Sequence, residues 1–240
     1  MTRDAILVTG AGQRLGLHLV ESFLARGQAV IATYRTERPA VERLRRAGAD
    51  MVACDFQDAR QVDDLAAHVT AGCESLRALI HNASDWMPDD APQAPADIMD
   101  RMMRVHVGAP YQLNLALAPL LEACSQRHAD IIHVGDYVSG RGSRKHVAYA
   151  ASKAAQDNLT LSFAARLAPK VKVNSIAPAL MLFNDGDDAA YRARAVEKNL
   201  VGRVGGADEF LGAVDYLMAS GYVTGRVLPV DGGRHLKGQY

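Results

Sequence analysis

The sequence predicts an α/β fold: a single doubly wound domain on a mainly parallel, seven-stranded sheet. Three observations carry this. Short β-branched runs alternate with longer helical patterns, the order that gives parallel strands joined by crossover helices. A glycine-rich turn comes directly after the first strand and opens a helix. No linker, low-complexity tract or internal repeat interrupts residues 1–240, a length normal for one α/β domain and sufficient to bury a large core.

Ala5–Thr9 reads as the first buried strand and Leu15–Ala25 as the helix after it, with Gly27 suited to a left-handed C-terminal cap. Ala29–Tyr34 is the second strand, succeeded by a charged helix over Glu37–Arg46. Asp50–Cys54 is the third strand, with a helix over Val62–Val69, and Leu76–His81 is the fourth. Asp85–Pro95 is a loop holding Pro88, Pro92 and Pro95. A long helical stretch then reaches Cys124, and Pro110 and Pro119 are expected to bend or interrupt it. Asp130–Val134 is the fifth strand, Val147–Leu167 a long helix and Val171–Ile176 the sixth strand. Leu180–Asn199 is polar and mixed, and is expected to be a mobile lid of about residues 180–200. Asp208–Met218 is helical and Arg226–Val230 the last strand. In such a sheet a ligand lies at the C-terminal ends of the strands.

Composition narrows the function classes. Apolar residues make up 49% and charged residues 22%, the profile of an ordinary globular protein. Lys plus Arg equals Asp plus Glu, 27 each, so no global field favours nucleic acid or an anionic membrane. Cys54, Cys73 and Cys124 lack metal-ligand spacing and read as reduced thiols, so neither metal nor disulfide is expected. The apolar run Ala5–Val8 is too short for a signal peptide or membrane span, which points to the cytoplasm.

The first candidate site is Thr9-Gly10-Ala11-Gly12-Gln13-Arg14-Leu15-Gly16. Glycines there permit a tight turn and close backbone approach, and a helix N-terminus offers unpaired N–H groups to a pyrophosphate. Tyr34-Arg35-Thr36 ends the second strand, where an NAD site usually carries an acid for the ribose 2′-hydroxyl. The Arg35 guanidinium instead suits a 2′-phosphate, and Arg14 adds a second cation, so the expected cofactor is NADPH/NADP. Asp55 and Phe56 come after the third strand, Asp55 either meeting the adenine amino group or serving as a turn carboxylate. Asn82-Ala83-Ser84 end the fourth strand with small side chains that let a ribose lie on the backbone. His81 and His133 read as core histidines.

The second candidate site is Tyr149-Ala-Ala-Ser-Lys153, at the start of the long helix. Residues four apart share a helix face, so the phenol and the ammonium can enter one cleft. An ammonium there is expected to lower the phenol from its ordinary pKa of about 10, so that Tyr149 delivers a proton while the cofactor delivers hydride. Lys153 can also hold the nicotinamide ribose.

With these residues in place, the chain resembles the short-chain dehydrogenase/reductase family over essentially its whole length. The likeness rests on the Gly-rich turn, Asn82-Ala83, Tyr149/Lys153, Val173-Asn-Ser-Ile-Ala-Pro178, Thr224-Gly225 and Val230-Asp-Gly-Gly233. Three departures mark its pterin-reducing branch: Arg14 replaces a small residue, Asp136 replaces the usual serine thirteen positions before the tyrosine, and Ser84 replaces a glycine. His106 stands where the family has an asparagine, and the sequence assigns it no role.

The resemblance implies a Rossmann-like fold and a homotetramer, places Pro178 and Leu180 at the cofactor, and makes Tyr149, Lys153 and Asp136 catalytic. It implies a substrate site of Arg14, Ser84, Trp86, Asp136 and Tyr149, with the Trp86 indole stacking a pterin against nicotinamide. The expected reaction is hydride transfer to C6 of a 7,8-dihydropterin with protonation at N5, 7,8-dihydromonapterin being the substrate and dihydrofolate a poorer one. The chemistry agrees. A carboxylate at 136 repels a ketone oxygen, but it accepts hydrogen bonds from a pterin's amino and ring N–H groups, or, if protonated, donates a proton with Tyr149. Two alternatives compete: a carbonyl reductase or alcohol dehydrogenase of the same fold, and a non-catalytic NADPH-binding regulator, which has no need of a tuned phenol.

Overall fold

The computed structural model describes residues 1–237. Its strands are β1 Ala5–Val8, β2 Val30–Tyr34, β3 Asp50–Ala53, β4 Leu76–His81, β5 Ala129–Val134, β6 Val171–Pro178 and β7 Val227–Val230. All pair in parallel in one sheet of order β3-β2-β1-β4-β5-β6-β7. The helices are α1 Arg14–Ala25, α2 Pro39–Arg46, α3 Ala59–Gly72, α4 Pro95–Met103, α5 Ala109–Glu122, α6 Val147–Leu167, α7 Ala189–Val196 and α8 Ala207–Ala219.

The central strands read as unbroken apolar runs because both faces of the sheet are covered. Alternate side chains enter opposite cores. Leu7, Leu79, Ile131 and Val173 pack with Leu65 of α3, Leu113 and Leu117 of α5 and Phe163 of α6. Ile6, Val8, Ile80, Ile132 and Ile176 pack with Leu19 and Phe23 of α1 and with Phe210, Val214 and Leu217 of α8. The three cysteines are buried free thiols. His133 is a satisfied core residue: Nδ1 bonds Thr160 Oγ1 at 2.8 Å, and Nε2 faces Asn114 Nδ2 at 3.4 Å. His81 bonds Asn114 Oδ1 at 2.7 Å.

One expectation changes. Pro110 and Pro119 do not break the helical stretch: Pro110 lies in the first turn of α5, where a missing N–H is tolerated, and α5 runs on through Pro119. The disturbance falls earlier, in a π-helical turn at Arg104–Gly108 that holds His106. The segment expected to form the lid contains α7, whose N-terminus is capped by the Asp188 carboxylate accepting from Tyr191 N–H at 2.6 Å. Gly27 does lie just past α1 with φ +73°, and its N–H bonds Leu24 C=O at 2.9 Å.

Candidate active site

The strand order reverses between β1 and β4, and a cleft of about 560 Å³ opens there at the C-terminal ends of the strands. The segments leaving the first six strands supply part of its lining: the Gly-rich turn after β1, Arg35, Thr36 and Arg38 after β2, Cys54–Phe56 after β3, Asn82–Trp86 after β4, Gly135 and Asp136 after β5, and Ala179–Met181 after β6. Tyr149 and Lys153 enter from α6. Every residue singled out from the sequence as catalytic, cofactor-binding or substrate-binding lines this one space.

The Gly-rich turn is fixed by hydrogen bonds that need no ligand. Asn82 Nδ2 donates to Thr9 C=O at 3.0 Å and Gly10 C=O at 2.9 Å, and Gly10 N–H donates to Thr33 Oγ1 at 3.0 Å. Asn82 therefore staples the end of β4 to the turn rather than offering its amide N–H groups to a ligand. Gly10 has φ +69°, and a Cβ on it would lie 2.7 Å from the Ala83 Cα, so no larger residue fits. Gln13 caps α1 without a side-chain hydrogen bond, and no acid lies in the first turn. The leading N–H groups of α1 thus remain for an anion, and Arg14, Arg35 and Arg38 stand around the same cleft. These residues fit a phosphorylated dinucleotide.

Two of these cations, Arg35 and Arg14, are already engaged. Arg35 Nη1 donates to Asp85 Oδ2 at 3.1 Å, and Arg101 Nε donates to the same oxygen at 2.8 Å. Burial by itself raises the Asp85 carboxyl, but hydrogen bonds from Arg101 and then from Trp86 N–H hold it below the usual carboxylate range. Arg14, at φ +55°, reaches across the cleft mouth: its guanidinium donates to Asn184 Oδ1 at 2.6 Å and to Leu182 C=O at 3.0 Å. Asp55 accepts from Gln57 N–H at 3.0 Å, the geometry of a turn carboxylate that also lines the cleft.

At the other end, Tyr149 Oη donates to Asp136 Oδ2 at 2.9 Å, and Asp136 Oδ1 accepts from Val138 N–H at 2.9 Å. Lys153 is buried, its Nζ donating to Val134 C=O at 2.7 Å and lying 5.8 Å from the Tyr149 ring centre. Burial lowers this ammonium from 10.5 to about 8, against the carboxylates of Asp136 and Asp157.

The expected lowering of the phenol does not occur in this arrangement. Burial, then the charge of Asp136 and the hydrogen bond to it, push Tyr149 well above 10, while Lys153 directs a hydrogen bond to the Val134 carbonyl. Tyr149 is held as a neutral phenol with a proton to give. Trp86 lines the cleft but is 58% exposed, its ring 4.3 Å from that of His146 at an interplanar angle of 44°.

Sequence reasoning passed over Arg38 and Asp85 and left His106 without a role. His106 is fully buried in the π-helical turn. Its Nε2 accepts from Asp85 N–H at 3.2 Å, so that nitrogen carries no proton, and it lies 2.9 Å from Ser84 Oγ. Nδ1 must then hold the proton, which it donates to Ser152 Oγ at 2.9 Å; that hydroxyl in turn donates to Tyr149 C=O at 2.7 Å. One neutral imidazole thus ties the Ser84-Asp85 loop to the tyrosine's helix. Burial, and then the Lys153 charge, hold it well below 6.5.

Comparison with known proteins agrees with this geometry. Residues 10–235 match the family described as enoyl-(acyl carrier protein) reductase, a branch of the short-chain dehydrogenases. The chain is 51% identical over 232 residues to a dihydromonapterin reductase of Klebsiella pneumoniae, and 52% identical over 233 residues to that of Escherichia coli K12, covering 97% of both chains in each case. The crystal structure of FolM alternative dihydrofolate reductase 1 from Brucella canis, complexed with NADP, superposes with a TM-score of 0.86 at 26% identity, over 97% of this chain and 94% of that one. This chain belongs to the short-chain dehydrogenase/reductase family, among the relatives of the bacterial dihydromonapterin reductases.

Proposed function

We propose that this protein is an NADPH-dependent reductase of 7,8-dihydropterins, converting 7,8-dihydromonapterin to tetrahydromonapterin and acting weakly on dihydrofolate. The observation that carries the reading is the Tyr149–Asp136 hydrogen bond of 2.9 Å, inside the cleft that also holds the Gly-rich turn and Arg35. Relatives at 51–52% identity carrying the name dihydromonapterin reductase support it, as does the NADP-bound Brucella enzyme.

Gly10, Gln13, Arg14, Leu15 and Gly16 hold the cofactor's pyrophosphate, Arg35 with Tyr34 and Thr36 its 2′-phosphate, and Asp55 and Phe56 its adenine. Asn82, Ala83, Ser84, Pro178 and Leu180 border its ribose and nicotinamide, and Lys153 holds the nicotinamide ribose. When bound there, NADPH would supply the hydride needed at C6 of the substrate. Asp136 accepts hydrogen bonds from the pterin edge, and Trp86 covers the ring's face. Such stacking contributes about 0.5–1.5 kcal/mol beyond area burial. Tyr149 gives its phenolic proton to N5 as the C6–N5 double bond becomes single. Residues of about 180–200 form the lid, with Arg14 joining it to the cofactor turn. The working form is a cytoplasmic homotetramer, in keeping with the family.

The test is steady-state turnover of purified protein with NADPH and 7,8-dihydromonapterin, monitored at the NADPH absorbance. Oxidation of NADPH with matching formation of tetrahydropterin is expected; a rate equal to the enzyme-free control overturns the proposal.

A further inference from the structure

A second cavity, of about 360 Å³, lies beside the active site and is lined by Tyr137, Arg141, Gly142, Lys198, Arg234 and Lys237. Four of these six are cations, and among the described residues no carboxylate lines the space. The chain as a whole has equal numbers of acids and bases, so this is a local imbalance. Some exposed arginines elsewhere do find acidic partners: Arg26 bonds Asp215 at 2.7 Å, Arg45 bonds Glu37 at 2.9 Å and Arg203 bonds Glu209 at 2.7 Å. Among the described residues, Arg141, Lys198, Arg234 and Lys237 form no ion pair.

The cavity is also held in shape. The Arg234 guanidinium stacks over the Tyr137 ring, 4.3 Å from its centre, and Arg141 Nη1 donates to Arg234 C=O at 3.4 Å. Leu200 N–H bonds Gly232 C=O at 2.8 Å, which fastens the stretch after Lys198 to the C-terminal segment. Like charges gathered around one concavity raise its potential, and an anion entering it relieves their repulsion.

Its position says which anion. Asp136 lines the active-site cleft and the next residue, Tyr137, lines the basic cavity, so the two spaces flank one 3₁₀ turn. Arg141 and Gly142 follow that turn, Lys198 comes from the end of the lid, and Arg234 and Lys237 come from the C-terminal segment.

We infer that this cavity is an anion subsite that receives the charged tail of a dihydropterin substrate, either glutamyl carboxylates or a side-chain phosphate. This rests on the dihydropterin reductase activity proposed for the neighbouring cleft. A neutral polyhydroxy side chain gains nothing from four cations, whereas a charged tail gains charge-assisted hydrogen bonds from Arg141 and Lys198.

The experiment compares three substrates, 7,8-dihydromonapterin, dihydrofolate triglutamate and 7,8-dihydroneopterin triphosphate, on wild type, Arg141→Gln/Lys237→Gln and Lys198→Gln. Arg234 is left in place because it packs on Tyr137. The double variant should raise KM for a charged substrate about tenfold, with kcat unchanged and the neutral substrate unaffected. Lys198→Gln, at the end of the lid, should raise the same KM by less. The KM of a charged substrate should also climb with added KCl in the wild type. Loss confined to the triglutamate assigns the site to carboxylate tails; loss confined to the triphosphate assigns it to phosphate.

Equal loss on all three substrates, or none on the charged ones, overturns the inference. Calorimetric titration of the NADP-saturated protein with sodium tripolyphosphate gives an independent readout. Saturable binding that the double variant abolishes supports the subsite even if no dihydropterin is turned over, which would sink only the proposed activity. Absence of binding in the wild type, or binding unchanged in the double variant, sinks the subsite.

Discussion

The two ends of the cleft are built differently. At the cofactor end the turn is set by bonds to backbone: Asn82 to the Thr9 and Gly10 carbonyls, Gly10 N–H to Thr33, and Ala83 N–H to Thr9 Oγ1 at 2.9 Å. None of these has to break for a ligand to enter. At the substrate end the functional side chains bond one another, Tyr149 to Asp136, and Trp86 rests on His146. A substrate must replace those contacts with its own. A preformed cofactor cradle beside a self-paired substrate site teaches where mutations divide: changes at one end should act on cofactor affinity, at the other on turnover.

The strongest way to break that division is Tyr149→Phe. Removing a positioned proton donor typically costs about 10²–10⁴ in rate. The expected outcome is a kcat lowered by that order with the NADPH dissociation constant, read by fluorescence titration, nearly unchanged. Unchanged turnover removes the proton-donor role; a large loss of NADPH affinity removes the division between the ends. Asp136→Ala should come next, lowering kcat/KM for 7,8-dihydromonapterin roughly 10–100-fold, the scale of a lost hydrogen bond to a charged group. Activity on ketones that survives this substitution, with none on pterins, would point to a carbonyl reductase instead.

The same divide governs how far the sequence could be read. β4 and α6 fall on the residues that periodicity and flanking breaks assign them, because buried parallel strands and long helices carry strong local patterns. The Gly-rich turn and the Tyr149/Lys153 spacing were legible because backbone conformation and helix phase are local properties. The features that were missed depend on contacts distant in sequence. Arg35 meets Asp85 fifty positions away, and Trp86 meets His146 across sixty. The direction of the Tyr149 shift was misjudged because burial and the Lys153–Val134 bond are tertiary facts. Two signals were available and overlooked: Asp188 before a run of helix formers is a cap, and Arg38 just ahead of Pro39 sits at a helix start near the second strand's end.

The cofactor end offers a smaller, sharper test. Arg35→Ala removes the guanidinium assigned to the 2′-phosphate and leaves the turn's own bonds intact. NADPH should weaken about tenfold, the order of one charge-assisted hydrogen bond, while NADH should change little. The ratio of the two KM values is the measurement, and an equal loss for both cofactors contradicts the assignment. Asp85, freed of one partner, keeps Arg101, so the loop carrying Trp86 should hold and kcat should stay near wild type.

The smallest expected effect concerns His106, which joins the two ends. His81 is lowered by burial to about 4, and His106 and His133 are held well below 6.5 for the same first reason. Unfolded imidazoles take up protons near pH 6.5, while these folded ones resist, so between about pH 6.5 and 4 the unfolded chain binds more protons. Stability therefore falls as pH drops through that window. Lys153 acts with the same sign at the alkaline side: folded, it releases its proton near 8, unfolded near 10.5, so its burial costs less as pH rises across that interval. Urea midpoints measured at steps from pH 7 to pH 4.5 should decline in the wild type. His106→Gln, which lacks a titrating group, should decline less steeply, with the share from His81 and His133 remaining. An unchanged slope would mean that His106 is already protonated in the folded protein, and a protonated Nε2 cannot accept from Asp85 N–H.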